Sequence, residues 1–208
     1  SDNSALGYQS LNANTTGGSN TAVGAASMAG SITGNSNAVL GSYALGSGHY
    51  GNYNAAVGDH AMYSLDKGDM NVAIGFQSLY STFVGTSSVA IGAYAGYGAG
   101  YEASSFSSST IVGTYAGYSL TTGNENILLG AQAGEAITSG SKNIVIGNNI
   151  DAASTTGSNQ LNIGNLIYGT NVNGTDTTLS TGMIGIGTST PYYTLTIASS
   201  TGAQLALT

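Results

Sequence analysis

The chain has no cysteine, no tryptophan, one proline and only two basic residues, Lys67 and Lys142. Without cysteine there are no disulfides, thiolate metal centres or cysteine nucleophiles. Nine acids against two bases leave a formal charge of -7. No basic patch is available to displace counterions, which argues against nucleic acid and anionic membrane as partners. No apolar run reaches the roughly 18 residues that a helical membrane span needs. Charged residues make up only 5% of the chain, whereas 33 of its 208 residues are glycine and 41% are apolar. Those apolar residues recur in register, which favours ordered burial over disorder.

A short motif of Asn, two or three small or aliphatic residues and Gly recurs along the chain. Its glycines are Gly7, Gly24, Gly41, Gly58, Gly75, Gly92, Gly113, Gly130, Gly147 and Gly164, spaced by 17 except for one step of 21 after Gly92. A second glycine follows ten positions later at Gly17, Gly34, Gly51, Gly68, Gly85, Gly123, Gly140, Gly157 and Gly174, and only the enlarged repeat lacks it. Two glycines at fixed offsets predict two backbone corners per coil, where positive φ or close approach of another backbone excludes a Cβ. Short strands are expected between them. A fixed period of this kind is the signature of a solenoid.

Each position of the repeat forms a column. The residue before the first glycine is aliphatic in every repeat, from Leu6, Val23 and Leu40 to Ile146 and Ile163, and reads as core, sharing its face with the residue two before it. Four before the glycine stand Asn3, Asn20, Asn37, Asn54, Asn71, Asn126 and Asn143, with Ser88, Ser109 and Gln160 in the other repeats. Stacked at about 4.8 Å, such amides can hydrogen-bond along the rod while capping a turn. Four after the glycine, Leu11, Met28, Leu45, Met62 and Leu79 give way to Gly96, Gly117 and Gly134. Alternation puts the Leu/Met column outside, as an apolar stripe that a second copy must cover.

The strings NTAVG, NVAIG, SVAIG and NIVIG, followed by small residues, resemble the head repeats of trimeric autotransporter adhesins over residues 3 to about 170. The resemblance implies a left-handed parallel β-roll and three chains around one axis, although 17 residues is longer than the coil usual in that family. GMIGIGTSTPYYTLTI, residues 182–197, is similar to a linker found after such repeats in phage tail-fibre and metagenomic fibre proteins. Pro191 suits a break between the solenoid and a following module.

Reactive chemistry is sparse. Asp59, His60, Asp66 and Asp69 form the densest group of potential ligands, yet they match no calcium loop and read as a polar turn. His49 and His60 lie in different repeats. No G-x-S-x-G is present, and two histidines leave little from which to build a triad. GYGAG at 96–100 and GMIGIG at 182–187 lead into no helix that would hold a phosphate. The chain therefore reads as a non-enzyme with no cofactor and no metal. Fourteen tyrosines suggest coils stapled by stacked rings, or aromatic faces offered to a sugar. Thr121, Thr122, Thr138, Ser139, Thr155 and Thr156 align in three repeats as an ice-binding face would, but His49, Asp66 and Phe83 occupy that column earlier.

The expected fold is all-β, a parallel β-solenoid of about ten 17-residue coils over residues 1–175, assembled as a homotrimer. A linker over 176–191 and the start of a further β module over 192–208 are expected to follow. The expected role is a structural and adhesive segment of an extracellular, cell-surface or virion fibre, with a surface glycan or host receptor as a further partner. An ice-binding solenoid or a carbohydrate-binding or -cutting tailspike-like module is the alternative. The insertion between Gly92 and Gly113 is expected to bulge over Gly96–Ser107 and to present Tyr97, Tyr101, Glu102 and Phe106 for ligand contact.

Overall fold

The computed structural model describes residues 2–47, 50–82, 84–98 and 104–198. Ten three-residue strands stack in chain order: β1 (Ser4–Leu6), β2 (Thr21–Val23), β3 (Ala38–Leu40), β4 (Ala55–Val57), β5 (Val72–Ile74), β6 (Val89–Ile91), β7 (Thr110–Val112), β8 (Ile127–Leu129), β9 (Ile144–Ile146) and β10 (Leu161–Ile163). All ten pair in parallel with partners 17 residues apart, as in Thr21↔Ala38, and 21 apart across the enlarged repeat, as in Val89↔Thr110. Ten strands in one ladder make nine complete turns of a β-solenoid.

The winding stops after β10. Gly164 (φ 62°) and Asn165 (φ 53°) are both left-handed, the geometry of a tight hairpin turn. It sends β11 (Ile167–Thr170) back antiparallel to β10 with Ile163 opposite Ile167. β12 (Met183–Ile186) pairs antiparallel with β11, and β13 (Leu195–Ile197) pairs parallel with β12. Residues 183–186, expected within a linker, therefore extend the same sheet.

The two corner glycines serve different purposes. Gly24 combines φ 131° with a backbone approach so close that a Cβ would fall 2.5 Å from the Gly41 carbonyl oxygen. Gly123 needs only space: a Cβ there would lie 2.0 Å from the Gly140 oxygen.

Which side faces inward differs from the sequence expectation. From β2 to β10 the middle residue of the strand is buried: Ala22, Val39, Ala56, Ala73, Ala90, Ile111, Leu128, Val145 and Asn162. The aliphatic residue before the glycine, expected in the core, points outward instead, with Leu6 70% and Ile74 41% exposed. The cause is the Asn column, which lies inward at Asn20, Asn37, Asn54 and Asn71. Period 2 then turns the middle residue inward and both its neighbours outward.

The Leu/Met column is likewise corrected. Met28, Leu45, Met62 and Leu79 are completely buried, so no second copy is needed to cover them. This side of the coil is a run of turns, with left-handed backbone at both Ala26 (φ 53°) and Met28 (φ 50°) and their equivalents. Alternation fails there, and the consecutive residues Ser27 and Met28 both face the core.

Burial on both sides explains the change of packing at the sixth coil. Where Leu or Met fills the turn column, the facing strand residue is alanine in three coils, Ala22, Ala56 and Ala73, and Val39 in another. Where Gly117 and Gly134 take the turn column, Ile111 and Leu128 fill the space from the strand side, and at Gly96, whose own strand residue is Ala90, the space is taken by Leu79, Ile111 and Phe106. A Cβ on Gly117 would lie 2.8 Å from Leu128 Cδ1, and one on Gly134 2.7 Å from Leu128 Cδ2. Volume moves from one wall to the other at constant packing.

Candidate functional site

Two polar ladders and an aliphatic sheet face run along the rod, and a wall of aromatic rings covers its middle coils. The inner ladder is the Asn column. Asn54 Nδ2 donates to the Gly68 carbonyl (2.8 Å) and to Asn37 Oδ1 (3.2 Å). Its own Oδ1 accepts from the Asn71 backbone N–H (2.9 Å) and Asn71 Nδ2 (3.1 Å). The pattern repeats from Asn3 to Gln160, with the Ser88 and Ser109 hydroxyls accepting where the amide is missing. Each buried amide of this column thereby keeps partners, as burial demands.

An outer ladder runs with the opposite polarity and was missed in the sequence. Gly18, Asn35 and Asn52 donate their backbone N–H groups to Asn35, Asn52 and Asp69 of the following coil, and Ser107, Asn124 and Ser141 donate to Asn124, Ser141 and Ser158. Its signal is a polar residue two before most of the inner Asn residues, a weak cue because that position varies between Asn, Asp and Ser and is Gly18 before Asn20. Asp69, expected as a simple surface turn residue, accepts from the Asn52 backbone N–H at 2.6 Å and from Asn52 Nδ2 at 3.1 Å.

The outward face of β1–β10 carries twenty side chains. Seventeen are Ala, Val, Leu or Ile, the others are Ser4, Thr21 and Thr110, and none is charged. Ten rungs of three-residue strand make a patch on the order of 500 Å², at the upper end of what isolated soluble proteins show. At its C-terminal end the segment 172–175 stands over the face and encloses a cleft of about 450 Å³ with Ile127, Ile144, Glu125 and Lys142. The Val172 N–H, bound to the Asn159 carbonyl at 2.9 Å, holds that segment in place.

The aromatic wall spans the third to seventh coils. Tyr63, Tyr80, Tyr97 and Tyr118 stack in one column with centroids 5.4, 5.2 and 4.9 Å apart. Tyr94 and Tyr115 stack at 4.7 Å in the neighbouring column, where Tyr43 lies 5.0 Å from His60. The Asp59 carboxylate is bonded to His60 Nδ1.

Of the expected contact residues of the insertion, the two that are described, Tyr97 and Phe106, do not meet on a surface. Tyr97 stays in the stacked column between Tyr80 and Tyr118. Phe106 is completely buried and so cannot meet a ligand. It replaces the missing second corner glycine: a Cβ on Gly85 would touch the Phe106 carbonyl oxygen, as one on Gly68 would touch that of Gly85. Tyr101 and Glu102, like His49 and Phe83, lie outside the described residues. The aligned threonines turn their hydroxyls along the stack, with Thr121 Oγ1 donating to the Thr138 carbonyl at 3.0 Å and Thr138 Oγ1 to that of Thr155 at 3.4 Å. Among the described residues no three His, Asp or Glu side chains converge as a metal site, and no helix is long and apolar enough to cross a membrane. Searches with family models, among curated proteins and among solved structures found no match to this chain.

Proposed function

We propose that the chain is a rod segment of an extracellular or virion fibre, a structural element rather than a catalyst, which associates side by side into a homotrimer. The carrying observation is the uncharged aliphatic face of β1–β10, where Leu6, Leu40, Val57, Ile74, Ile91 and Ile127 are exposed and only the C-terminal end is overhung by 172–175. A partner for that face has to match ten rungs at one spacing, which the 21-residue step at Val89↔Thr110 leaves uninterrupted. A second copy in register meets that demand by construction. Most homo-oligomers close with point-group symmetry, which bounds the number of copies around such a face. The fibre setting and the threefold count rest on the resemblance of the NVAIG-type repeats to adhesin heads. The aromatic rings pack their faces on each other, so this reading gives them to coil stacking and not to sugar.

Light scattering tests the proposal. The chain should run as a trimer at micromolar concentration, and Ile74→Glu with Ile91→Glu, both on the outward face, should yield a folded monomer with unchanged β-sheet circular dichroism. A monodisperse wild-type monomer, or a trimer indifferent to both glutamates, would overturn it.

A further inference from the structure

The aromatic wall is more than the solenoid requires. In the first, second, eighth and ninth coils its two columns hold Gln9 and Asn12, Ala26 and Ala29, Gln132 and Glu135, and Asn149 and Ala152. Those coils stack with the same strand register. The middle coils instead place Tyr43, His60, Tyr63, Tyr80, Tyr94, Tyr97, Tyr115 and Tyr118 in one unbroken series of ring contacts. Four tyrosine pairs are cofacial, with planes within 14° and centroids between 4.7 and 5.4 Å. Tyr43 and Tyr115 are exposed, which opens the series to solvent at both ends. His60, held by Asp59, packs its ring against Tyr43, Tyr63 and Tyr80 and continues the series between them.

We propose that this wall is an oxidative modification site, at which an oxidant of the peroxidase class, consuming hydrogen peroxide, joins tyrosines of successive coils by a carbon–carbon bond. Each phenol of a cofacial pair loses one electron and its O–H proton, giving two phenoxyl radicals. These couple at carbons ortho to the oxygens, and the two ortho hydrogens shift to the oxygens to restore both phenols. The pair has lost two hydrogen atoms, and one hydrogen peroxide has become two waters. Ring contact along the wall lets a radical formed at an exposed ring reach a half-buried neighbour, and fixed stacking supplies the proximity that free tyrosines lack. The product staples adjacent coils covalently.

The test treats the purified chain with a peroxidase and hydrogen peroxide, reads dityrosine fluorescence and maps cross-linked peptides by mass spectrometry. Expected are intrachain links among Tyr63, Tyr80, Tyr97, Tyr118 and the Tyr94–Tyr115 pair, in a yield independent of protein concentration and several-fold above that of the chain in denaturant. Tyr97→Phe keeps the ring but removes two of the four cofacial phenol pairs, and should lower the yield by about half. Tyr80→Phe, Tyr97→Phe and Tyr115→Phe together leave no cofacial pair and should abolish the intrachain product. Wild-type yield from the folded triple variant, or links mapping to the exposed Tyr8, Tyr53 and Tyr192, would overturn the proposal. Should the triple variant fail to fold, the Tyr97→Phe peptide map decides by the same criterion.

Discussion

Asn54 shows what one residue does in a coil this small. Its side chain joins three coils through four hydrogen bonds, and every partner is itself buried. Truncation leaves the Gly68 carbonyl and the Asn71 N–H unsatisfied where water cannot reach them. Asn54→Ala should therefore cost roughly 3 kcal/mol, about two unmet buried groups, read as a lowered denaturation midpoint. Asn54→Ser should cost clearly less, because the Ser88 and Ser109 hydroxyls accept the next coil's N–H at 3.3 and 3.1 Å in the same column. Equal losses for the two variants would mean that the ladder's bonds are not what stabilises it. The Asn column and its stacking were legible in the sequence because one residue type recurred at one offset. The outer ladder was not, because Asn35, Asn52, Asp69, Ser107 and Ser141 share a role but not an identity.

At the scale of one coil, strand and turn exchange volume across a core about two side chains wide. Ile111→Ala should cost about 3 kcal/mol by leaving a cavity, and Gly117→Met about 2 kcal/mol by overpacking against Leu128 and Ile111. Met at this position is compatible with the backbone, since Met28 and Met62 hold left-handed φ of 50° and 53° in the same column. Together the two changes recreate the Ala-plus-Met pairing of the second and fourth coils, so the double variant should be at least about 1 kcal/mol more stable than the sum predicts. Strict additivity in a thermal or urea melt would show that the two walls do not sense each other. The insertion also resolves at this scale. Gly98 still donates to Tyr118 and Ser105 to Thr121, so the ladder is intact on both sides and the extra length falls between 98 and 104. Only the length was legible in advance. Phe106 was misplaced because an aromatic inside an insertion looks like a surface feature, and its burial follows from the vacant corner that it fills.

For the whole molecule, each coil contacts its neighbours alone, and stability is close to a sum over coils and their interfaces. Removing Ser42–Gly58, one whole repeat of 17 residues, joins Gly41 to Asp59 with every column in register. It should leave a folded rod shorter by about 4.8 Å, with unchanged circular dichroism per residue and a reduced length by small-angle scattering. Removing half that segment shifts every column and should unfold the neighbouring coils, whereas equal tolerance of both deletions would refute a ladder-based rod. The sequence by itself determined the period, the two corners and the parallel stacking, because a repeat that returns to the same backbone position every coil must use the same residue there each time. Only the tertiary structure decided which columns face inward. Alternation holds within a three-residue strand but fails across the turns, where left-handed residues such as Ala26 and Met28 redirect successive side chains, so the Leu/Met column enters the core and the aliphatic Leu6 and Ile74 column is left to face outward.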